Sequence, residues 1–490
     1  MKILLVYPDY EETFWSFKRV LRILGKKASF PPLGLLTVGA MLPSDWEKRL
    51  VDMNTDILKD EYIKWADYIF ISAMIVQKES ARRIINKVKK LGKPIVAGGA
   101  LFTTGWEEFT DVDHLVLGEV EETFPAIVED LKNGALKKMY ASNGFPDIKE
   151  VAIPDWNLIN VNNYNSMCVQ LSRGCPFNCE FCDVVKLNGR VPRLKSKKQL
   201  IAELEALYNR GWRAGVFFVD DNFIGNKAIL KKEYLPAIIE WQKKKKHPFS
   251  FNTQVSINLA DDKKLMELMV EAGFTAVFIG IETPDADGLE ECGKFQNKNR
   301  DLIESVKIIQ NSGMEVQGGF IVGFDSDKVS IFQRQIEFIQ KSGIVTAMVG
   351  LLTALPKTRL YQRLKETNRL VKRTTGDNTK TSSLNFIPKM DKNKLLNGHK
   401  KILSTIYAPK SYYERIRTLL REYKPVNRKK QKIRIYHIRA LIGSIWWLGI
   451  KQRGRHYFWK LILWSILKRP SLFPYAIGFS LAGIHFRSIS

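Results

Sequence analysis

Short apolar runs alternate with helix-like stretches twice along this chain, and such an alternation has few ways to fold. Residues 3–7, 69–72 and 95–97 are strand-like, with helical stretches such as 79–91 between them. Strands that alternate with helices form a parallel sheet covered on both faces. Residues 1–140 are therefore expected to form a doubly wound α/β domain. Residues 141–164, with Pro146, Pro154 and several asparagines, read as a linker. Alternation resumes over 165–365. Strands are expected at 167–171, 215–220, 249–257, 276–281, 316–322 and 346–352, and helices at 198–210, 263–272 and 301–311. Six β/α units suit an open, partial TIM-type (β/α)6 barrel. From 366 to 490 the alternation stops. A polar loop (373–383), two helices (392–407 and 412–423) and a mostly helical, basic C-terminal region are expected there.

Both kinds of parallel sheet bind ligands at the carboxyl ends of their strands. In the first domain those ends carry Ser72 to Gln77, Gly98, Gly99, Gly118 and Glu119. Gly98 and Gly99 would let a flat or bulky ligand approach the backbone closely. The G-x-G-x-x-G pattern of dinucleotide sites is absent. In the second domain the corresponding candidates are Asp220, Asp221, Thr253, Gln254, Ser256, Glu282, Thr283, Gly318, Gly319 and Gly323.

Cys175, Cys179 and Cys182 are spaced C-x3-C-x2-C within Leu171-Ser172-Arg173-Gly174-Cys175-Pro176-Phe177-Asn178-Cys179-Glu180-Phe181-Cys182. Three thiolates in one short loop can grip three corners of a cubane iron–sulfur cluster, which is ordinarily held by four. No fourth cysteine lies in the loop, so one iron would stay open to bind something else. A zinc site would show a second close pair or added histidines. The other two cysteines, Cys168 and Cys292, are isolated and read as small buried residues.

The cysteine segment, with Phe181 before the last cysteine, resembles the signature of the radical S-adenosylmethionine (SAM) superfamily. The resemblance implies a [4Fe–4S] cluster on Cys175, Cys179 and Cys182. It also implies SAM chelated by the open iron and cleaved to a radical that abstracts hydrogen from unactivated carbon, with a cytoplasmic electron donor. Phe181, Asp220, Asp221, Gln254, Glu282 and Gly323 fall where that superfamily contacts its cofactor. The first 140 residues resemble the cobalamin-binding domain that precedes many radical SAM barrels, through Pro31-Pro32-Leu33-Gly34-Leu35, Val51-Asp52, Trp65-Ala66-Asp67, Gly98-Gly99 and Gly118-Glu119-Val120-Glu121. On that likeness Ser72, Gln77, Gly98, Gly99, Gly118 and Glu119 become cobalamin contacts. The cobalt-ligating D-x-H-x-x-G motif is missing, and Asp113-His114 does not match it, so the resemblance implies a cobalt without a protein histidine.

Charge separates the C-terminal region from the rest. From 409 to 490 there are 18 Lys and Arg against two acidic residues, none of them after Glu422. Such a bias points to a polyanionic partner. Arg428-Lys429-Lys430-Gln431-Lys432 opens a stretch in which residues 440–450 and 470–486 carry no charge and Trp446, Trp447, Trp459 and Trp464 lie among Lys and Arg. These runs are shorter than the ~20 residues that span a bilayer. They suit helices lying in an anionic membrane interface, and no RNA-binding module is recognisable, so nucleic acid is disfavoured. The opening residues Met1 to Tyr7 enter an apolar strand without a charged leader, so a cytoplasmic protein, peripheral on the cytoplasmic membrane face, is expected.

The C-terminal region, together with Asp220-Asp221-Asn222-Phe223-Ile224-Gly225-Asn226 and Gly319-Phe320-Ile321-Val322-Gly323-Phe324-Asp325, looks like a subgroup that includes hopanoid methylases and proteins forming rings in archaeal membrane lipids. That resemblance implies a methyltransferase acting on unactivated carbon of a hydrophobic lipid-like substrate. Radical coupling or ring closure on a lipid, or modification of a tetrapyrrole, is the alternative. An unactivated carbon needs no general base, which fits six histidines with none near the cysteine loop.

Overall fold

The structure is a computed structural model and describes residues 1–142, 144–425 and 435–489. The basic run 428–432 lies outside the described residues. Two six-stranded parallel sheets organise the chain. The first has strands β1 (Lys2–Tyr7), β2 (Glu47–Asp52), β3 (Tyr68–Ser72), β4 (Ile95–Gly98), β5 (His114–Leu117) and β6 (Met139–Ala141), in the order β2-β1-β3-β4-β5-β6. The order reverses at β1, as in a doubly wound sheet. Its central strands are apolar throughout because helices cover both faces. Strand β6 takes the sheet to Ala141.

The next segment is a packed strap. Trp156 and Tyr164 are buried in the core, and the Tyr164 hydroxyl donates to Asp52 Oδ2 at 2.9 Å. The apolar surface these two aromatics bury holds the segment down more firmly than its proline and asparagine content suggests.

The second sheet follows chain order: β7 (Met167–Val169), β10 (Gly215–Phe218), β11 (Ser250–Val255), β12 (Phe274–Glu282), β13 (Glu315–Val322) and β14 (Ala347–Leu351). Strands β8 (Ser172–Arg173) and β9 (Arg193–Leu194) form a separate antiparallel ribbon. Edge strands β7 and β14 do not pair, so this is the expected open half-barrel. Alternate residues of β11 show the period of two: Phe251, Thr253 and Val255 are buried against helices, and Asn252 and Gln254 face the lumen.

The C-terminal helices are Lys392–Ile406, Pro409–Glu422, Ile435–Ser444, Arg455–Lys468 and Phe473–Ile489, with a π-helical turn at Ile445–Lys451. Helix Phe473–Ile489 corrects one expectation. Its run without charge does not lie on the surface: Ala476, Ile477, Phe479, Leu481 and Phe486 are buried, and Pro474, Tyr475, Gly478, Phe479 and Ala482 line the barrel lumen. Phe486 stacks on Phe14 with ring centroids 4.8 Å apart. The helix caps the half-barrel and so finds its apolar partner inside the protein. Among the described residues no helix is long and apolar enough to cross a membrane.

Candidate functional site

The cysteine loop hangs between β8 and β9, whose pairing of Ser172 with Leu194 and Arg173 with Arg193 pins its two ends. Beneath it lies Asp220, which is fully buried. Its carboxylate accepts from Leu171 N (3.0 Å), Ser172 N (2.6 Å) and Ser172 Oγ (2.5 Å). Burial pushes this carboxyl up to about 7 despite those bonds. Both of its oxygens are taken, so Asp220 acts as a positioning residue for the loop. Asp221 accepts from Gly174 N at 2.8 Å and Asn188 Nδ2 at 2.9 Å. Gly174, at φ +99°, threads between carbonyls. A Cβ there would meet those of Val191 at 2.8 Å and Asn188 at 3.0 Å. On the far side Glu180 N donates to Cys292 O, and Arg363 pairs with the Glu180 carboxylate.

Cys179 is buried, and Cys175 and Cys182 are partly so. Burial pushes all three thiols up, and the nearby Lys294 ammonium pulls each back. Among the described residues no His, Cys, Asp and Glu are gathered tightly enough for a single metal ion. A cubane asks for something different, since its irons occupy separate corners and its thiols stand apart. Three thiols on one loop fit three of those corners. Cys292 packs beside the loop, and its own Sγ contacts Leu289 O of the helix before it (3.6 Å).

Beside the thiols, β12 ends on Glu282, a non-glycine residue at φ +64°. Its carboxylate pairs with Lys294 at 2.7 Å, and Asn297 Nδ2 holds the carbonyls of Gly280 and Ile281, each at 3.0 Å. A Cβ at Gly280 would strike this ion pair. Gly323, at φ +109°, and Phe324 donate their N–H groups to Asp327 Oδ2. Phe181 reaches over from the cysteine loop to the Phe324 ring, centroids 6.5 Å apart. The fold thus gathers Cys175, Cys179, Cys182, Phe181, Glu282 and Gly323 at one end of the half-barrel. Gln254 lies lower, facing the lumen.

The carboxyl ends of the first sheet open onto a cleft of about 340 Å³, bounded by helices Leu33–Met41 and Phe124–Lys132. Ser72, Gly98, Gly99, Gly118 and Glu119 line it. Gly98 keeps it open, since a Cβ there would crowd the Val116 carbonyl at 3.2 Å. The cleft also holds Glu121 Oε2, a buried acceptor with no partner among the described residues. A glycine-lined cleft with a spare acceptor suits a large ligand edged with amides, such as cobalamin. Gln77 does not join it. This side chain is buried, donating to Pro8 O and accepting from Met74 N, because the turn after β3 uses it as an internal brace.

Glu119 has a second task. Arg173, two residues before Cys175, reaches Glu119 at 2.6 Å and Glu121 at 2.7 Å, and Arg193 also pairs with Glu119. Burial works against the charge on Glu121, but the Arg173 guanidinium outweighs it and holds the carboxyl below the usual range. Sequence reasoning singled out neither Arg173 nor Lys294 nor Asn297. The signal for Arg173 was present, as a cation inside the cysteine segment. Lys294 and Asn297 had none, because their partners are set by the chain reversal after β12.

Comparisons with known proteins agree with this geometry. Residues 169–339 match the Radical SAM superfamily, residues 26–128 the B12 binding domain, and residues 358–490 a domain of unknown function. A protein of Synechocystis sp. described as an uncharacterized methyltransferase is 40% identical over 490 residues, covering 99% of this chain and 91% of that protein. The hopanoid C-2 methylase of Rhodopseudomonas palustris is 32% identical over 481 residues, covering 95% and 90%. Among solved structures, the radical S-adenosylmethionine methyltransferase TsrM from Kitasatospora setae, with cobalamin and a [4Fe–4S] cluster bound, shares the fold with a TM-score of 0.63 at 13% identity, covering 99% of each chain. By its two matched domains and its full-length relatives, the chain belongs to the cobalamin-binding radical SAM enzymes, which work with a [4Fe–4S] cluster, S-adenosylmethionine and cobalamin.

Proposed function

We propose that this enzyme methylates an unactivated carbon of a hydrophobic, lipid-like substrate at the surface of an anionic membrane. The observation that carries the reading is the Arg173 bridge, which fastens the cysteine loop to the edge of the cobalamin-type cleft and gives the two cofactor sites a common wall. Cys175, Cys179 and Cys182 would hold the cluster. Glu282, Gly323 and Phe181 would receive SAM, with Lys294 fixing Glu282 and Asp220 and Asp221 fixing the loop. Ser72, Gly98, Gly99 and Gly118 would carry cobalamin. When bound, the cluster and SAM supply hydrogen abstraction, and cobalamin supplies the methyl group. Below lies a lumen walled in part by Val277, Phe278 and Phe479, with room for an apolar substrate beside the site.

The lipid-like substrate is supported by the hopanoid methylase among the relatives and by the outer face of the C-terminal helices. Ile442, Trp446, Trp447, Ile450, Leu463 and Leu467 are exposed there, and Lys451 lies over both tryptophan rings at 5.0 and 4.9 Å. Aromatic and aliphatic side chains ringed by cations suit an anionic bilayer interface.

The test is anaerobic reconstitution with analysis of iron, cobalt and product mass. Iron for one cluster, one cobalt per chain and a product heavier by one CH2 are expected. Iron without cobalt, even after cobalamin is supplied, sinks methyl transfer. A product lighter by two hydrogens would replace it with ring closure.

A further inference from the structure

The lumen of the half-barrel is layered. In register across β11, β12 and β13, Asn252, Ala276 and Glu315 form the lowest layer and Gln254, Phe278 and Gln317 the next. Above them Gly280 pairs with Gly319, and Gly319 with Met348 of β14. The floor carries two polar side chains, Asn252 and Glu315, and Glu315 is the ionisable one. Its carboxyl meets only Gln317 Nε2 and Thr346 Oγ1, both long at 3.4 Å and both on one oxygen. Its second oxygen has no bond among the described residues. The glycine layer at the top lies beside the Glu282–Lys294 pair.

This lumen is one of three cavities that share walls. It measures about 850 Å³. A cavity of about 1100 Å³ beneath β7, β10 and β11 is lined partly by Ile435 and Arg439 of the outward-facing helix Ile435–Ser444. A third, of about 640 Å³, lies between the two sheets, against Asp9, Asn54 and Met348. Phe30 lines all three, and its ring packs on Phe217 at 5.1 Å. Trp15 divides the lumen from the inter-sheet cavity, its Nε1 donating to Met348 Sδ at 3.2 Å.

We propose that the lumen binds a long, rigid amphiphile that enters past Phe30 from the side of helix Ile435–Ser444, apolar end first, and that Glu315 holds its hydroxyl end. This rests on the lipid reading above and adds an orientation to it. The apolar end stands in the glycine layer, where the candidate SAM contacts lie. Four residues separate Glu315 from Gly319 on one strand, which sets about 13 Å between the anchored hydroxyl and the reacting end. Glu315 is half-buried and faces the lumen, so a ligand that fills the lumen without a hydroxyl strips water from this carboxyl and leaves it unpaired, which is costly. Burial raises the Glu315 carboxyl to about 7, which keeps it able to donate as well as accept near neutrality.

The test uses the full chain and two radiolabelled probes delivered from cyclodextrin: a pentacyclic triterpene alcohol and the same hydrocarbon without its hydroxyl. Equilibrium dialysis is expected to show the alcohol bound at least tenfold tighter. Glu315→Leu should erase that preference while leaving the hydrocarbon bound, and the isosteric Glu315→Gln, able to hydrogen-bond, should keep most of it. Phe30→Trp, which narrows the junction, should slow uptake of both probes several-fold. Thermal melting checks that each variant is folded. Equal binding of the two probes, no binding of either, or a preference that survives Glu315→Leu overturns the proposal. Because dialysis needs no turnover, failed methyl transfer with an intact alcohol preference would remove the methyltransferase reading alone.

Discussion

Asp220 shows how one buried carboxylate can set a cysteine loop by holding only its root. It satisfies two backbone N–H groups and a hydroxyl at the root of the cysteine segment. Asp220→Ala would strand those donors in a dry site, at a cost on the order of 3 kcal/mol. Urea unfolding should register the loss, and iron uptake on reconstitution should fall with it. Glu315 yields a pH signature. Its carboxyl titrates near 4.5 when unfolded and at about 7 when folded. Between those values the native state keeps a proton that the unfolded state has released. Stability therefore falls as pH rises from about 4.5 through 7, and Glu315→Gln should flatten that slope in melting curves. The cysteine spacing was legible in the sequence because a loop ligand set is local. The work of Asp220 was not, since its partners lie 48 and 49 residues away. Glu119 lies just past the end of β5, whereas Gln77, expected with it at a strand end, sits in the helical turn Ile75–Gln77. What a strand-end side chain bonds to depends on the turn or domain packed against it, which periodicity does not reveal.

Among the elements, β2, β5, β6 and the β8–β9 ribbon were not anticipated, whereas the strands with apolar runs were the most legible. Their apolar runs need no tertiary context, and the observed bounds differ from the expected ones by a residue or two at most ends. The uncharged stretches of the C-terminal region were not separable by composition. Residues 440–450 form an exposed face with Trp446 and Trp447, whereas 473–486 is buried as the lid of the half-barrel. Both read alike because a helix seeking a membrane and one seeking a core use the same residues. The structure makes the difference testable. Replacing Trp446 and Trp447 together by Ala should cut binding to anionic vesicles at least tenfold in a co-sedimentation assay while leaving the melting temperature near that of the parent. Raising salt should weaken only the part carried by Lys451 and its neighbours. A double variant that sediments like the parent would take the membrane off this face.

At the scale of the molecule, the two sheets meet through charge as well as apolar contact. Arg173 and Arg193 of the ribbon face Glu119 and Glu121 of the first domain, all four largely buried. Removing one member of a buried ion pair typically costs 3–5 kcal/mol, because the other charge is left dry. Arg173→Ala is expected to lose about 3 kcal/mol, less than the full range because Arg193 still pairs with Glu119. Cobalt and iron occupancy should fall together in that variant. Loss of iron alone would confine Arg173 to the cysteine loop. Domain order and both parallel sheets could be read from alternation, but the bridge could not, because residues 54 apart in sequence gave no sign of meeting. The lid has a consequence in time. His485 Nε2 lies 3.0 Å from the carbonyl oxygens of Thr13 and Phe14, a contact spanning 472 residues from its own position to Thr13. At roughly 5–20 residues per second, a ribosome needs about half a minute to a minute and a half between the two. Until helix Phe473–Ile489 emerges and docks, Phe14 and the other apolar side chains it covers stay in water, so the half-barrel must hold itself together uncapped for that interval.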